Sequence, residues 1–251
     1  MNLYLEAIRL LGISPNFWCS EELFRRAEWS TLRDFDLVWV ADSEGNIMLP
    51  VYSEALKKLS FNTQFEYGFA GFSGGTFLDY EYIYNPENFS QLDGGQWRKV
   101  RKNLGWATRY FIDNSIWPTI TQEADPEAIA ELLDKALSDL EWFSPELALE
   151  YALYGDNRWF LINGKNKKIY AILCWDENWA YVNFRYCFVD PDIPGLSDYA
   201  RTEFYRLISE ARPGKLVNDG GSLDQPGLAT YKRKLNPIKI NTIYGGLDES
   251  K

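Results

Sequence analysis

The clearest hydrophobic pattern lies in the second half of the chain. Arg158 to Asn163, Lys168 to Trp175 and Trp179 to Val189 are runs rich in apolar, β-branched and aromatic residues. Gly164-Lys165-Asn166 separates the first two and Asp176-Glu177-Asn178 the second pair. Short apolar runs between polar turns predict three strands of an antiparallel meander. Leu196 to Ala211 changes to helical spacing, with Ser197 or Asp198 as its cap. Lys215-Leu216-Val217 predicts a short strand that ends in Asn218-Asp219-Gly220-Gly221, residues that favour turns. Pro226-Gly227 open a helix from Leu228 to Leu235, Asn236-Pro237 stop it, and Ile238 to Tyr244 alternates as a strand does. The order βββαβαβ predicts a mixed sheet with helices packed on it.

The first half alternates more loosely. Leu3, Leu5, Ile8, Leu10 and Leu11 fit one face of a short helix, and Ser20 caps a second that reaches Trp29. Phe35 to Ala41 and Ile47 to Val51 flank a polar turn as a hairpin, and Ser53 to Leu59 reads as a short helix. Gly68 to Gly75 holds four glycines. It lacks both a Gly-Lys-Ser/Thr ending and a GxGxxG spacing, so it reads as turns and not as a phosphate loop. Leu78 to Tyr84 predicts a strand, Pro86 to Leu92 a helical turn, and Gln96 to Phe111 a helix carrying Arg98, Lys99, Arg101, Lys102 and Arg109. Trp117-Pro118 and Thr121 to Pro126 read as a linker. Asp125 caps a helix from Pro126 to about Leu140, and Pro145 opens another through Tyr154. The linker divides the chain into two α/β halves, 1–117 and 118–251.

Composition narrows the chemistry. The 251 residues are 46% hydrophobic and 25% charged, ordinary for a folded domain, but 16% aromatic, enough to fill a core and line pockets. The net charge of −10 excludes a general nucleic-acid binder. It leaves the basic helix 96–111 as the only place for such a partner. Three cysteines, Cys19, Cys174 and Cys187, form no CxxC pair, so neither a disulfide framework nor a zinc knuckle is expected and buried free thiols are. The chain has no histidine. That removes Ser-His-Asp and Cys-His catalysis and leaves proton transfer to Asp, Glu, Tyr, Lys or the substrate, with no metal expected. Glu6 and Arg9 interrupt the apolar N-terminus, and no apolar run reaches membrane-spanning length. A cytoplasmic protein without a membrane partner is the expectation.

Two segments carry a family resemblance. Tyr82 to Arg109, YIYNPENFSQLDGGQWRKVRKNLGWATR, has a tyrosine-rich strand, Leu-x-Gly and an Arg-Lys helix. Val217 to Pro237, VNDGGSLDQPGLATYKRKLNP, has Asn-x-Gly, Gly-Leu, x-x-Lys and x-x-Pro in order. With the βββαβαβ order, they resemble the GNAT acyltransferases, and within them the family typified by the C-terminal domain of phosphatidylglycerol lysyltransferase, related to the FemAB aminoacyl transferases. The resemblance covers roughly Leu78 to Tyr244. It implies an α+β (α/β) fold of tandem GNAT-like halves, each a mixed, mostly antiparallel sheet flanked by helices. It also implies transfer of an acyl or aminoacyl group to an amine or hydroxyl, the donor being an acyl-CoA thioester or an aminoacyl-tRNA. The substrate-binding positions it implies are Arg98, Arg101, Lys102, Asn218, Gly227 and Lys232. The chain departs from the acetyl-CoA enzymes where their pyrophosphate loop would lie: that stretch reads Val189-Asp190-Pro191-Asp192-Ile193-Pro194-Gly195, and two aspartates repel a pyrophosphate. The membrane half of the lysyltransferase has no counterpart, so a lipid substrate is not expected.

Direct acyl transfer needs both reactants held, a proton removed and an oxyanion stabilised. Backbone N–H groups of parting strands serve the last need. Asp219, Tyr231 and Glu81, with Tyr186, are the proton-shuttling candidates. A cleft is expected where the third meander strand parts from the strand ending at Asn218, with Asn218, Lys232 and Arg101 facing it. Plainer readings stand beside these: Asn218-Asp219-Gly220 as an ordinary turn, and Lys232 and Arg101 as surface charges. Two other functions stay open, a non-catalytic binding or assembly protein on the same scaffold and aminoacylation of a modified nucleic-acid base.

Overall fold

In the computed structural model, the residues described are 15, 17, 51–52, 76–138, 145–155, 157–222 and 225–245. They form one eight-stranded sheet: β1 (Val51–Tyr52), β2 (Thr76–Tyr84), β3 (Pro118–Thr121), β4 (Arg158–Asn163), β5 (Ile169–Glu177), β6 (Tyr181–Val189), β7 (Leu216–Asn218) and β8 (Lys239–Gly245). The helices are α1 (Arg98–Asp113), α2 (Pro126–Leu137), α3 (Pro145–Tyr154), α4 (Leu196–Ala211) and α5 (Pro226–Lys234). Two 3-10 turns, Pro86–Phe89 and Gly95–Trp97, lead into α1. The elements expected before residue 51 and between 53 and 75, the glycine-rich stretch included, lie outside the described residues, as does the end of the helix expected to reach Leu140.

Strand order across the sheet is β1-β8-β2-β7-β6-β5-β4-β3. Every pair is antiparallel except β6 with β7. The expected meander is β4-β5-β6, and the expected helix–strand–helix–strand ending is α4-β7-α5-β8. Two local readings are corrected. Asp176 and Glu177 belong to β5, where they pair with Asn183 and Val182, so the turn holds only the three residues after them. Pro118–Thr121, whose two ends were read as linker, is an edge strand against β4. Four residues are too few to show alternation, and proline is accepted at the start of an edge strand.

One arrangement could not be read from local pattern. β2, from the first half of the chain, lies between β7 and β8, from its end. The described parts of both halves therefore share one sheet and one core.

Helices cover both faces. On one face α4 packs on β6 and β5 and is itself covered by α1. Its turns bury Leu196, Ala200, Phe204 and Ile208 at helical spacing. Phe204 stacks on Phe184 with ring centroids 3.8 Å apart and also meets Trp159 and Tyr205. On the other face α2 and α3 pack over β5 and its neighbours, burying Ile129, Leu132, Leu133 and Tyr151 against Phe160, Ile172 and Phe188. Asp125 accepts from the Glu127 N–H at the start of α2, the expected cap. Cys174 is buried, as expected, and Cys187 is half-buried. Among the described residues no helix is long and apolar enough to cross a membrane.

Phe204 is fully buried between the sheet and Tyr205. Phe204→Ala should therefore cost about 3–5 kcal/mol of folding stability, read as a lowered urea midpoint at unchanged slope.

Candidate functional site

The central feature is the place where β6 and β7 part. They pair in parallel for three residues only: Tyr181 with Leu216, Val182 with Val217, Asn183 with Asn218. Beyond Asn218 the chain follows β2. The Asp219 N–H donates to the Tyr82 carbonyl at 3.0 Å, and the Gly220 carbonyl accepts from Tyr82 N–H at 3.2 Å. Gly220 has φ +63°, a left-handed turn that favours glycine. β6 meanwhile runs on to Val189, and no strand pairs with that side of it past Asn183 among the described residues. It also bulges there: Trp175 pairs with Phe184 and Cys174 with Tyr186, leaving Arg185 as the extra residue. Successive residues of a strand point to opposite faces, so the parting presents different side chains above and below the sheet.

On the α4 face a buried ionic cluster is built around Asp219. Arg201, from α4, donates to Asp219 Oδ2, and the Tyr205 hydroxyl donates to the same oxygen at 2.9 Å. Lys232, from α5, donates to the Asp219 carbonyl, and its Nζ lies 3.4 Å from Asp219 Oδ1. The Tyr84 hydroxyl donates to the Lys232 carbonyl at 2.8 Å and ties α5 to β2. The Arg201 guanidinium lies 4.9 Å from the Phe184 ring and 5.5 Å from that of Tyr231, so it reaches from β6 to α5 across this side of the parting. Burial favours the protonated Asp219 carboxyl, but the Arg201 and Lys232 cations outweigh it and hold the pKa below the usual carboxylate range. Burial, aided by Arg201, lowers the Lys232 ammonium below its usual range against the pull of Asp219. Burial also pushes the Tyr231 phenol well up; its hydroxyl lies 3.1 Å from Ser197 Oγ. Burial pushes the Cys187 thiol up to about 11, which leaves it unreactive as a thiolate at neutral pH.

The opposite face carries a row of polar side chains. Glu81 on β2 accepts from Asn218 Nδ2 at 2.6 Å and from the Phe17 N–H at 3.1 Å. Asn183 on β6, the register partner of Asn218, donates to Asp176 Oδ1 at 2.9 Å. Arg185 grips both oxygens of Asp176, at 2.6 and 3.0 Å, and the Tyr151 hydroxyl donates to Asp176 at 3.2 Å. The Phe17 ring stacks on the Arg185 guanidinium at 4.0 Å.

The expected residues divide between these places. Asp219, Tyr231 and Lys232 meet in the α4-face cluster. Asn218 and Glu81 meet on the other face, because Asn218 and Asp219 are adjacent in an extended chain. Tyr186 lies on that face too, against Tyr151. Arg98, Arg101 and Lys102 are exposed on α1 and join neither group. Arg101 donates to the carbonyls of Leu92 and Gly94 and closes the turn before its own helix, and Lys102 lies over Trp106 at 4.7 Å. Gly227 is exposed in the first turn of α5.

The acidic stretch before α4 is internally paired. Lys135 of α2 binds Asp190 at 2.5 Å and Asp192 at 2.7 Å. Asp198, buried in the first turn of α4, accepts from Asn103 of α1 and from Lys234 at 2.8 Å. Gly195 has φ +76° and lies against the Asn103 carbonyl, so α1 covers the start of α4 and a carboxylate already sits there.

Arg201, Tyr205, Asp176, Asn183 and Arg185 were missed by the sequence reading. Arg201 and Tyr205 had a signal: they stand four apart on a helix beside core positions 200, 204 and 208. Asp176 was absorbed into a turn rich in turn-forming residues.

With the geometry in hand, comparison with known proteins gives the fold. No protein-family model matches the chain, and no curated protein matches it in sequence. Solved structures do match. A conserved protein of unknown function from Bacteroides thetaiotaomicron VPI-5482 superposes at TM-score 0.62 and 21% identity, over 90% of this chain and 74% of that one. L-PGS from Bacillus licheniformis superposes at 0.56 and 12% identity, over 81% and 68%. The C-terminal domain of a putative lysylphosphatidylglycerol synthetase from Agrobacterium fabrum superposes at 0.52 and 16% identity, over 78% and 65%. The chain has the fold of these proteins.

Asp219→Asn leaves Arg201 and Lys232 buried without their carboxylate, so it should cost about 3–5 kcal/mol at pH 7 by urea unfolding. Acid should act on wild type through the same group. Asp219 titrates lower folded than unfolded, so between the two values the unfolded chain holds the extra proton. Its contribution is complete above an unfolded pKa of about 4 and is lost as pH falls through the folded value. Lys232 has the same sign at the alkaline end: the folded chain sheds its proton first, and stability rises with pH from the folded value up to about 10. In D219N the acid-limb loss belonging to this group should be absent.

Proposed function

We propose that the chain is an acyl or aminoacyl transferase of the GNAT type. The observation that carries the reading is the parting of parallel β6 and β7, with an ionic cluster on one face and a polar row on the other. Two reactants can approach such a parting from opposite faces and meet at the backbone of β6. The order β4-β5-β6-α4-β7-α5-β8 supports the same reading, and so does the fold shared with L-PGS and with the putative lysylphosphatidylglycerol synthetase domain. On this reading residues 118–251 are a GNAT-like half, and β2 from 1–117 completes its sheet.

The reaction is direct attack. The acceptor nitrogen or oxygen adds to the donor carbonyl carbon, and N–H groups on the unpaired side of β6 stabilise the oxyanion. The acceptor proton passes to a carboxylate, for which Glu81, on the polar face, is our choice. The tetrahedral intermediate then collapses: the bond from the carbonyl carbon to the donor's ester oxygen, or thioester sulfur, breaks, and the leaving tRNA hydroxyl or coenzyme A thiol takes up the proton from Glu81. Asp219 is too weak a base for that role, since its neighbours lower its pKa; it positions Lys232 and Arg201. Lys232 supplies buried positive charge beside the developing negative charge. An ester of tRNA fits better than coenzyme A as donor, because Asp198 and the covering α1 leave the start of α4 unsuited to a pyrophosphate.

A second reading, a non-catalytic binding module, is favoured by one observation: the Arg201–Asp219 ion pair fills part of the α4 side of the parting. One assay separates them. The whole protein is incubated with labelled aminoacyl-tRNAs or acyl-CoAs and a panel of amine and hydroxyl acceptors. Transfer from an aminoacyl ester, reduced at least about 100-fold in Lys232→Met with the fold retained by circular dichroism, is the expected result. Ligand binding without transfer from any donor would establish the second reading instead.

A further inference from the structure

The solvent face of α1 carries three features that weaken a helix. Arg98, Lys99, Arg101 and Lys102 crowd its N-terminal end, where no acidic residue stands in the first turn, although the helix dipole favours carboxylates there. Gly105 stands exposed in mid-helix, and a side chain built on it would meet nothing within 4 Å. Glycine costs a helix interior stability relative to alanine, and no neighbour requires it here. Trp106 is 46% exposed, with Lys102 over its ring. Among the described residues, none of Arg98, Lys99, Lys102 and Arg109 has a carboxylate partner. On α2, α4 and α5, by contrast, Lys135, Arg201, Arg206, Lys232 and Lys234 each face one. The chain holds 36 acidic residues for 26 basic ones, so the bare cations do not reflect a shortage of carboxylates. Local costs that nothing in the protein offsets are expected at a functional surface.

The pattern states the partner's chemistry. Arg98, Lys102, Gly105 and Arg109 follow one another at four, three and four residues, so they form one stripe on the exposed face. At 1.5 Å per residue the stripe is about 16 Å long. Positive charges along a line suit a repeating anion. Gly105 at the centre lets the anion's backbone come close to the helix. Trp106, beside the stripe, offers a ring on which a base can stack. A bilayer fits less well, because Val100, Ala107 and Phe111, the apolar residues that would enter it, are buried. Arg101 stands apart, held by the carbonyls of Leu92 and Gly94.

We infer that the solvent face of α1 docks a folded RNA, with Arg98, Lys102 and Arg109 on its phosphates and Trp106 on an unpaired base. The inference deepens the transferase reading and rests on it for the choice of RNA, as carrier of the aminoacyl ester. α1 lies on α4, so an RNA docked there approaches the sheet from the Asp219 side.

The test uses deacylated tRNA, so it reads binding with no donor ester and no turnover. Failure to bind counts against the inference alone, and binding without transfer counts against the transferase reading alone. Labelled tRNA is titrated with the whole protein across a salt series and followed by fluorescence anisotropy. Three phosphate contacts predict a log–log slope in salt of about −2 to −3. Arg98→Gln/Lys102→Gln/Arg109→Gln should weaken binding at low salt at least about tenfold and bring the slope close to zero. Lys165→Gln/Lys167→Gln, two exposed cations in the turn after β4, should change it less than about twofold. Trp106→Ala should weaken tRNA at least about fivefold and leave duplex DNA unaffected. Three results would each overturn the inference: no saturable binding of tRNA, equal loss in the two charge variants, or capture by phosphatidylglycerol–phosphatidylcholine vesicles in place of tRNA.

Discussion

A single carboxylate determines how the centre of this sheet is built. Asp219 follows the last paired residue of β7 and is turned inward, where Arg201, Tyr205 and Lys232 converge on it. Three elements, α4, α5 and the end of β7, are joined through that one residue. Removing a buried charge from such a group leaves its partners uncompensated, so the arrangement is maintained as a unit. With Asp219 held on the α4 side, its backbone continues along β2 and away from β6. The parting of β6 and β7 is a consequence.

The same alternation that turns Asp219 inward turns Asn218 outward. Asn218 binds Glu81 on β2, beside Asn183 and Asp176 on the neighbouring strands, and so begins the polar row on the far face. One turn of chain thus supplies both faces of the parting. The cluster side is rich in cations, with its tyrosines and cysteine pushed to high pKa by burial. The row side is rich in acceptors. On the proposed transferase reading, the first side would stabilise charge and the second would accept the proton.

Much of the fold was legible. The meander announced itself through apolar runs between polar turns, and α4 through its helical spacing, because these elements are stabilised by contacts close in sequence. The edge strand Pro118–Thr121 was too short to show a period. The placement of β2 between β7 and β8 joins residues far apart in the chain, and no local pattern encodes it. For the site, the turn after Val217 and the lysine of α5 were named as candidates, and the structure places Asn218 against Glu81 and Lys232 against Asp219. Their facing was misread: Asn218 and Lys232 were assigned one cleft, whereas Asn218 lies on the Glu81 face and Lys232 joins Asp219 on the other, because neighbours in an extended chain point apart. Arg101 was drawn in by the family resemblance and the basic helix it stands on, whereas it closes the turn before its own helix. Arg201 was passed over because a lone arginine on a long helix reads as surface charge.

β6 loses its partner on the β7 side after Asn183. Native-state amide exchange along β6 reads this out residue by residue. Val182 and Asn183, flanked by strands on both sides, should exchange slowly. From Phe184 to Val189, amides bonded to β5 should exchange slowly and those facing the parting at least about tenfold faster, an alternation with the period of the strand. Uniform slow exchange through Val189 would mean that this side of β6 is paired and that the two strands do not part.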